Sequence, residues 1–236
     1  MKLTRIADRT FVAITALFLA GSLAGCDAAA NATEAAKPIP SVPSAGRAVV
    51  DAATALKQLD RIPVKGRAPK TGYTRDEFGP AWADTDHNGC DTRNDVLSRD
   101  LTDETFKPGT NNCVVITGTL ADKYTGTTIE FIRGQDTSNA VQIDHVVPLS
   151  DAWQKGAQQL SAEQREELAN DPVNLMAADG PTNSAKGDKD AATWLPPNRA
   201  FRCEYVARQT AVKAKYSLWM TQAEHDAING ILKACG

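Results

Sequence analysis

The sequence predicts an α+β fold, on three observations. Two β-branched runs, Cys113–Thr119 and Thr127–Phe131, flank the turn Tyr124-Thr125-Gly126 and read as a hairpin. Two further short strands follow, Gln142–Val147 and Asn174–Ala177. Helix signals surround them. Apolar residues recur at helical spacing from Val49 to Leu59 within a predicted helix over 47–59 that Pro63 ends. Ser161-x-x-Gln164 is a capping box opening a helix to about Asn170, and Thr182 to about Lys189 is a polar helix. Pro196-Pro197-Asn198 opens a helix reaching Tyr216, and Thr221-x-x-Glu224 caps the last one.

Composition fits a globular chain of 236 residues, with 42% hydrophobic and 23% charged residues. The first residues read as targeting. Lys2, Arg5 and Arg9 precede the uncharged run Thr10–Gly25, shorter than the roughly 20 residues a membrane-spanning helix needs. It closes on Leu23-Ala24-Gly25-Cys26, which resembles a bacterial lipobox. That resemblance implies removal of residues 1–25 and lipidation of Cys26, anchoring an exported protein to the outer face of the cell membrane; without the lipid it is secreted. Residues 26–46 are Ala-, Pro- and Ser-rich and read as a tether. A single domain is expected over 47–236.

Loss of three basic residues and one acid with the leader takes the formal charge from −3 to about −5. A nucleic-acid-binding role then requires a local basic face. Its candidates are Lys57–Arg75, which includes Arg67, Lys70 and Arg75, and Arg199–Lys215.

With Cys26 lipidated, Cys90, Cys113, Cys203 and Cys235 remain. An even number in an exported chain predicts two disulfides with three possible connectivities. Cys90–Cys113 with Cys203–Cys235 is favoured, because each joins neighbouring segments. No Cys-x-x-Cys recommends zinc.

The run Trp82 to Asp95 places Asp84, Asp86, Asn88, Gly89 and Asp95 at positions 1, 3, 5, 6 and 12 of a calcium loop. Against that reading, position 12 is Asp, position 8 is Asp91 where an apolar residue packs, and no clear amphipathic helix leads in. An Asx-rich turn, pinned by Cys90 and delivering Arg93 to a site, fits better.

The stretch Gln142-Ile143-Asp144-His145-Val146-Val147-Pro148 ends an apolar run on an acid and a histidine. Pro148 forbids a central strand from continuing, so the pair sits at a strand end, where reactive groups are commonly presented. The chain holds three histidines. His87 lies in a turn and His225 on the last helix, which leaves His145 as the candidate general base. No Gly-x-Ser-x-Gly marks a serine hydrolase.

Downstream stand Asn174-Leu175 and Asn183-x-x-Lys186. The order Asp-His, Asn-Leu, Asn-x-x-Lys resembles the HNH endonucleases, the ββα-metal nucleases. It is similar in particular to the C-terminal nuclease domain of GmrSD-type restriction enzymes and to secreted actinobacterial HNH proteins, which the Trp82–Arg93 run also resembles. The resemblance implies a ββα-metal core at about 140–195, with an added hairpin and flanking helices. It implies a metal-dependent endonuclease in which His145 activates water and Asn174 holds the loop carrying it. Asp144 and Asn183 would ligate one divalent cation, and Lys186 and Arg93 would bind the phosphate of DNA, in preference to RNA. An asparagine at the last motif position, where many relatives carry histidine, favours Mg²⁺ or Mn²⁺. A helix inserted between His145 and Asn174 is expected to leave the site undisturbed. The rival class is a non-catalytic surface lipoprotein that binds calcium or an envelope partner.

Overall fold

Helix α1 (Ala52–Leu59) begins where the Asp51 carboxylate accepts from the Thr54 amide at 3.2 Å, an N-cap that fixes its first turn. This computed structural model describes residues 51–235; the expected export segment 1–25, Cys26 and the expected tether to 46 lie outside the described residues. After a 3₁₀ turn at Arg75–Phe78, the acidic run leads into α2 (Thr92–Asp100), capped by Asp91. Strand β1 (Leu101–Phe106) follows, then β2 (Val115–Ala121) and β3 (Thr128–Ile132), in one antiparallel sheet of order β1-β2-β3. The predicted hairpin is β2–β3, with Leu120 opposite Ile129 and Gly118 opposite Phe131.

The chain then runs through β4 (Val141–His145), α3 (Leu149–Trp153), α4 (Ala162–Asn170), β5 (Leu175–Asp179), α5 (Gly180–Lys186), α6 (Arg202–Lys215) and α7 (Gln222–Lys233). The α+β class is observed. Strands β4 and β5 pair antiparallel, Asp144 opposite Met176 and His145 opposite Leu175. Side chains alternate across this ribbon. Met176 and Ala178 join a core built with Tyr124, Phe201, Tyr205 and helices α1, α6 and α7. Val141, Ile143, Leu175 and Ala177 join a second core under α2 and the three-stranded sheet.

Two elements escape the sequence pattern. Strand β1 carries apolar residues only at its ends, and its register breaks between Thr102 and Thr105, where Asp103 has φ +52°. Helix α2 buries only Val96 and Leu97 in the second core and is otherwise polar, because it also brackets β5: Asp100 Oδ2 accepts from Ala177 N at 2.8 Å, and Arg99 donates to Leu175 O at 2.8 Å. With Asp122 on Asp179 N at 3.0 Å and Arg208 on Leu175 O at 2.9 Å, side chains take the hydrogen bonds a third strand would make along β5.

The start of the last helix does more than cap it. Thr221 accepts from Glu224 N at 3.2 Å, as the pattern predicts. The Glu224 carboxylate, however, is fully buried, 2.6 Å from both Lys155 Nζ and Lys213 Nζ. Lys155 also pairs with Asp151 at 2.7 Å and Asp190 at 2.8 Å, and Arg67 spans the same two acids at 2.8 and 2.7 Å. Two buried lysines and the part-exposed Arg67 thus face three buried acids, joining the loop at Arg67 to α3, α6, α7 and the segment after α5.

Both expected disulfides form. Cys90–Cys113 ties the acidic turn to the approach of β2, and Cys203–Cys235 ties the start of α6 to the end of α7. Replacing Cys203 and Cys235 by alanine is expected to lower stability by about 2–4 kcal/mol. The shift in urea midpoint measures it, and an unchanged midpoint would count against any stabilising role for the bridge.

Candidate active site

Asp144 and His145 are consecutive in β4, so they point to opposite faces of the ribbon. On one face α5 lies across β4. Its direction is set by Asp179, whose side chain caps Thr182 N at 2.8 Å, and by Gly180, where a Cβ would come within 2.0 Å of the Asn139 carbonyl. Asn183 and Lys186, one turn apart, therefore face Gln142 and Asp144. Asn183 Nδ2 donates to Gln142 Oε1 at 2.9 Å. Lys186 Nζ donates to Asp144 Oδ1 at 2.9 Å and to the His145 carbonyl at 2.8 Å. The Tyr124 hydroxyl donates to Asp144 Oδ2, and burial with the neighbouring carboxylate pushes the phenol well above its usual range.

This arrangement corrects the expected role of Lys186. It is 0% exposed and Asp144 only 5%, so the lysine has no open path to a phosphate. A carboxylate carried this far from water needs a counter-ion, and the lysine supplies one. The same geometry tests the expected metal. Both Asp144 oxygens are occupied, one by an ammonium. Among the described residues no three His, Cys, Asp or Glu side chains are placed to hold a metal ion. As arranged, Asp144 and Asn183 do not fit a divalent cation.

On the opposite face His145 is 6% exposed, with its ring stacked on Trp82 at 6.3 Å and 13°. Trp82 has φ +61°, uncommon for a bulky residue, and that turn belongs to the loop that brings the indole to the histidine. His145 Nε2 lies 2.8 Å from the Ala169 carbonyl. A carbonyl only accepts, so Nε2 carries the hydrogen and Nδ1 keeps its lone pair. Ala169 is in the last turn of α4, where helix carbonyls lack intrahelical donors. Leu168, its neighbour, accepts from Asn174 Nδ2 at 3.2 Å in the same way. The inserted helix, expected to leave the site alone, is therefore part of its frame.

Asn174 is fully buried and holds the turn after His145. Its carbonyl accepts from Val146 N at 2.7 Å and its Oδ1 from Val147 N at 2.8 Å. Gln209 of α6 donates to the Val146 carbonyl at 3.0 Å. With Lys186 on the His145 carbonyl, the backbone polar groups of this turn are satisfied inside the protein.

A cavity of about 20 Å³ lies beside His145, lined by Arg75, Trp82, Leu149, Ala169 and Asn170 among others, room for about one water. Burial lowers the His145 pKa to about 3, with the charges of Arg75 and Lys186 adding to the effect. Arg75, exposed on the 3₁₀ turn, is the cation at this cavity. Arg93, expected here, is half-buried on α2; burial and the charge of Arg133 lower its pKa, and Asp91 is the acid it feels. In the sequence Arg75 belongs to a basic run and Trp82 to the acidic-turn motif, and neither pattern points to the site. Their only signal was that membership. Tyr124 stands in the sequence as a turn residue of the hairpin.

The acidic run is an Asx-rich turn. Asp84 accepts from Gly89 N at 2.9 Å and Asn88 N at 3.1 Å, Asn88 Oδ1 from Cys90 N at 2.7 Å, and Asp95 from Asn88 Nδ2 at 3.1 Å. Its carboxylates cap backbone amides and the start of α2.

The neutral histidine carries a pH consequence. A folded pKa near 3 against 6.5 unfolded means that only the unfolded chain binds this proton between those values. Stability from this group is complete above about pH 6.5 and is lost as pH falls towards 3. The urea midpoint of wild type is expected to drop further between pH 7 and pH 4.5 than that of His145→Asn. Equal drops would show that His145 is not held neutral.

A strand-end Asp-His pair, its turn held by asparagine and crossed by a short helix bearing Asn-x-x-Lys, defines a nuclease-type domain. Residues 91–231 match the family described as GmrSD restriction endonucleases, C-terminal domain, and the chain belongs to that family. It is also 36% identical over 200 residues to an uncharacterized secreted protein of Arthroderma benhamiae, covering 84% of this chain and 91% of that protein. No solved structure matches the chain at a significant level. No helix among the described residues is long and apolar enough to cross a membrane.

Proposed function

We propose that this protein is an exported hydrolase of nucleic-acid phosphodiesters, acting on DNA in preference to RNA, with His145 as general base. The observation that carries the reading is the fixed tautomer of His145: Nε2–H is committed to Ala169, and Nδ1 is left as acceptor on a ring that borders a water-sized cavity. A water there loses its proton to Nδ1 as it attacks phosphorus, the opposite P–O bond to the sugar breaks, and the departing oxygen takes up a proton from solvent. A pKa near 3 makes the free protein's imidazole a weak base. An incoming phosphate answers this in part, because its charge offsets that of Arg75, one of the groups that depress the value. Arg75 is also the exposed cation at the cavity and pairs with the phosphate, where its planar guanidinium suits two oxygens at once. Asn174 acts as a positioning residue through the turn that carries His145.

The test is incubation of the exported chain with supercoiled plasmid and with single-stranded RNA, each with magnesium, with manganese and with chelator. Cleavage of plasmid, faster than of RNA, is expected. No cleavage of either under any condition would leave a binding module as the better description.

Membrane attachment through Cys26 completes the proposal, resting on Leu23-Ala24-Gly25-Cys26 after a short apolar run. Cys26→Ser is expected to move the protein from the membrane fraction to the medium. An unchanged membrane-bound share would rule out the lipid.

A further inference from the structure

We infer that Arg93 and Arg133 are the two halves of an anion site, apart from the His145 cavity, that holds a backbone phosphate of the nucleic-acid strand other than the one cleaved. Three observations carry this. Neither arginine lines the cavity beside His145. Arg133 spends its guanidinium on neutral acceptors, donating from Nε to the Val115 carbonyl at 2.5 Å and from Nη2 to Asn94 Oδ1 at 2.5 Å. Asn94 adjoins Arg93 in α2, so this bond brings the second guanidinium up to the first. Arg93 itself is half-buried, and its guanidinium makes neither a hydrogen bond nor an ion pair among the described residues.

Left to itself this arrangement is unfavourable. An arginine carried partly out of water normally has its charge matched by a carboxylate. Here burial and the charge of Arg133 both oppose the charge on Arg93. Arg93 also stands in the first turn of α2, the end at which a helix favours anions over cations. Asp91, the acid it feels, is already in use as the cap of that turn. Its Oδ1 accepts from Asn94 N at 2.8 Å and its Oδ2 from Asn94 Nδ2 at 2.7 Å. An anion between the two guanidiniums removes the repulsion and supplies the missing acceptor at once. Phosphate suits the place, because its oxygens match the planar fork of a guanidinium. Thr92 donates to the Ala83 carbonyl, which fixes the start of α2 beside the turn that carries Trp82 to His145. The phosphate's place in a strand rests on the hydrolase reading; the anion site does not.

The test is urea unfolding of the full exported chain without phosphate, with inorganic phosphate, and with chloride at matched ionic strength, together with its affinity for a short DNA duplex in chelator. Arg93→Gln strands no partner, so it folds. Relief of the repulsion is expected to raise its midpoint above wild type in the absence of phosphate. Phosphate is expected to raise the wild-type midpoint, and to leave that of Arg93→Gln where chloride leaves it. Arg133→Lys, which keeps the charge and loses the fork, is expected to lose most of the phosphate effect. On DNA, Arg93→Gln is expected to bind about tenfold more weakly, the share of one charge-assisted contact, with a salt slope shallower by about one. An Arg93→Gln midpoint below wild type without phosphate would overturn the inference, because the arginine would then be holding the fold. So would stabilisation by phosphate that is equal in wild type and Arg93→Gln. Stabilisation lost with Arg93 while DNA affinity is unchanged would overturn the assignment to a strand, since the site would then take only a free anion. Cleavage plays no part in these readings. DNA held through Arg93 but never cut sinks the hydrolase reading and leaves this one standing.

Discussion

Replacing His145 by alanine is expected to slow phosphodiester cleavage by about 10²–10⁴-fold, the usual contribution of a positioned general base. The expectation rests on the ring's surroundings. Trp82 fixes its plane, the Ala169 carbonyl fixes its tautomer, and Asn174 fixes the turn that follows it. None of these partners carries charge that the alanine variant would strand, so the fold should survive, and circular dichroism with a urea midpoint checks that it does. A folded His145→Ala protein that cuts plasmid at the wild-type rate would end the hydrolase mechanism proposed for this face of the ribbon.

The largest stability effect is expected from Glu224→Gln. The substitution keeps the shape but leaves Lys155, Lys213 and Arg67 facing only Asp151 and Asp190. Breaking a buried pair in this way costs about 3–5 kcal/mol, because the stranded charge is what destabilises. The acids that remain already show the strength of the field: despite burial, the lysines hold the Asp151 carboxyl below its ordinary range, and Lys155 with Arg67 does the same for Asp190. Urea unfolding at pH 7 measures the loss. A change within about 0.5 kcal/mol, as for an ordinary surface substitution, would show that water reaches the cluster.

The motif residues were legible because each is fixed by a local rule. A proline ends the strand after Asp144-His145, helical spacing puts Asn183 and Lys186 on one face, and β-branched runs mark β2 and β3. Their partners were not legible. Lys186 reads as a surface cation until the structure seals it against Asp144, and Glu224 reads as a capping residue until two lysines claim it. Arg75, Trp82 and Tyr124 reach the site from loops well upstream, and no periodicity connects them to β4. Helix α2 was hidden because its last turn, Arg99 and Asp100, serves the edge of β5 and only Val96 and Leu97 face a core, and strand β1 because it carries apolar residues only at its ends.

The closed edge of β5 has a bearing on how this protein meets other polypeptides. A two-stranded ribbon with an open edge is normally an invitation to strand addition, by a peptide or by a second copy of the chain. Here Asp100 and Asp122 already hold the Ala177 and Asp179 amides, and Arg99 and Arg208 the Leu175 carbonyl, that such a strand would need. A β-augmenting peptide would have to break charge-assisted bonds to dock along this edge. Strand addition along β5 is thereby disfavoured, and this edge of the ribbon bearing Asp144 and His145 is protected against templated aggregation.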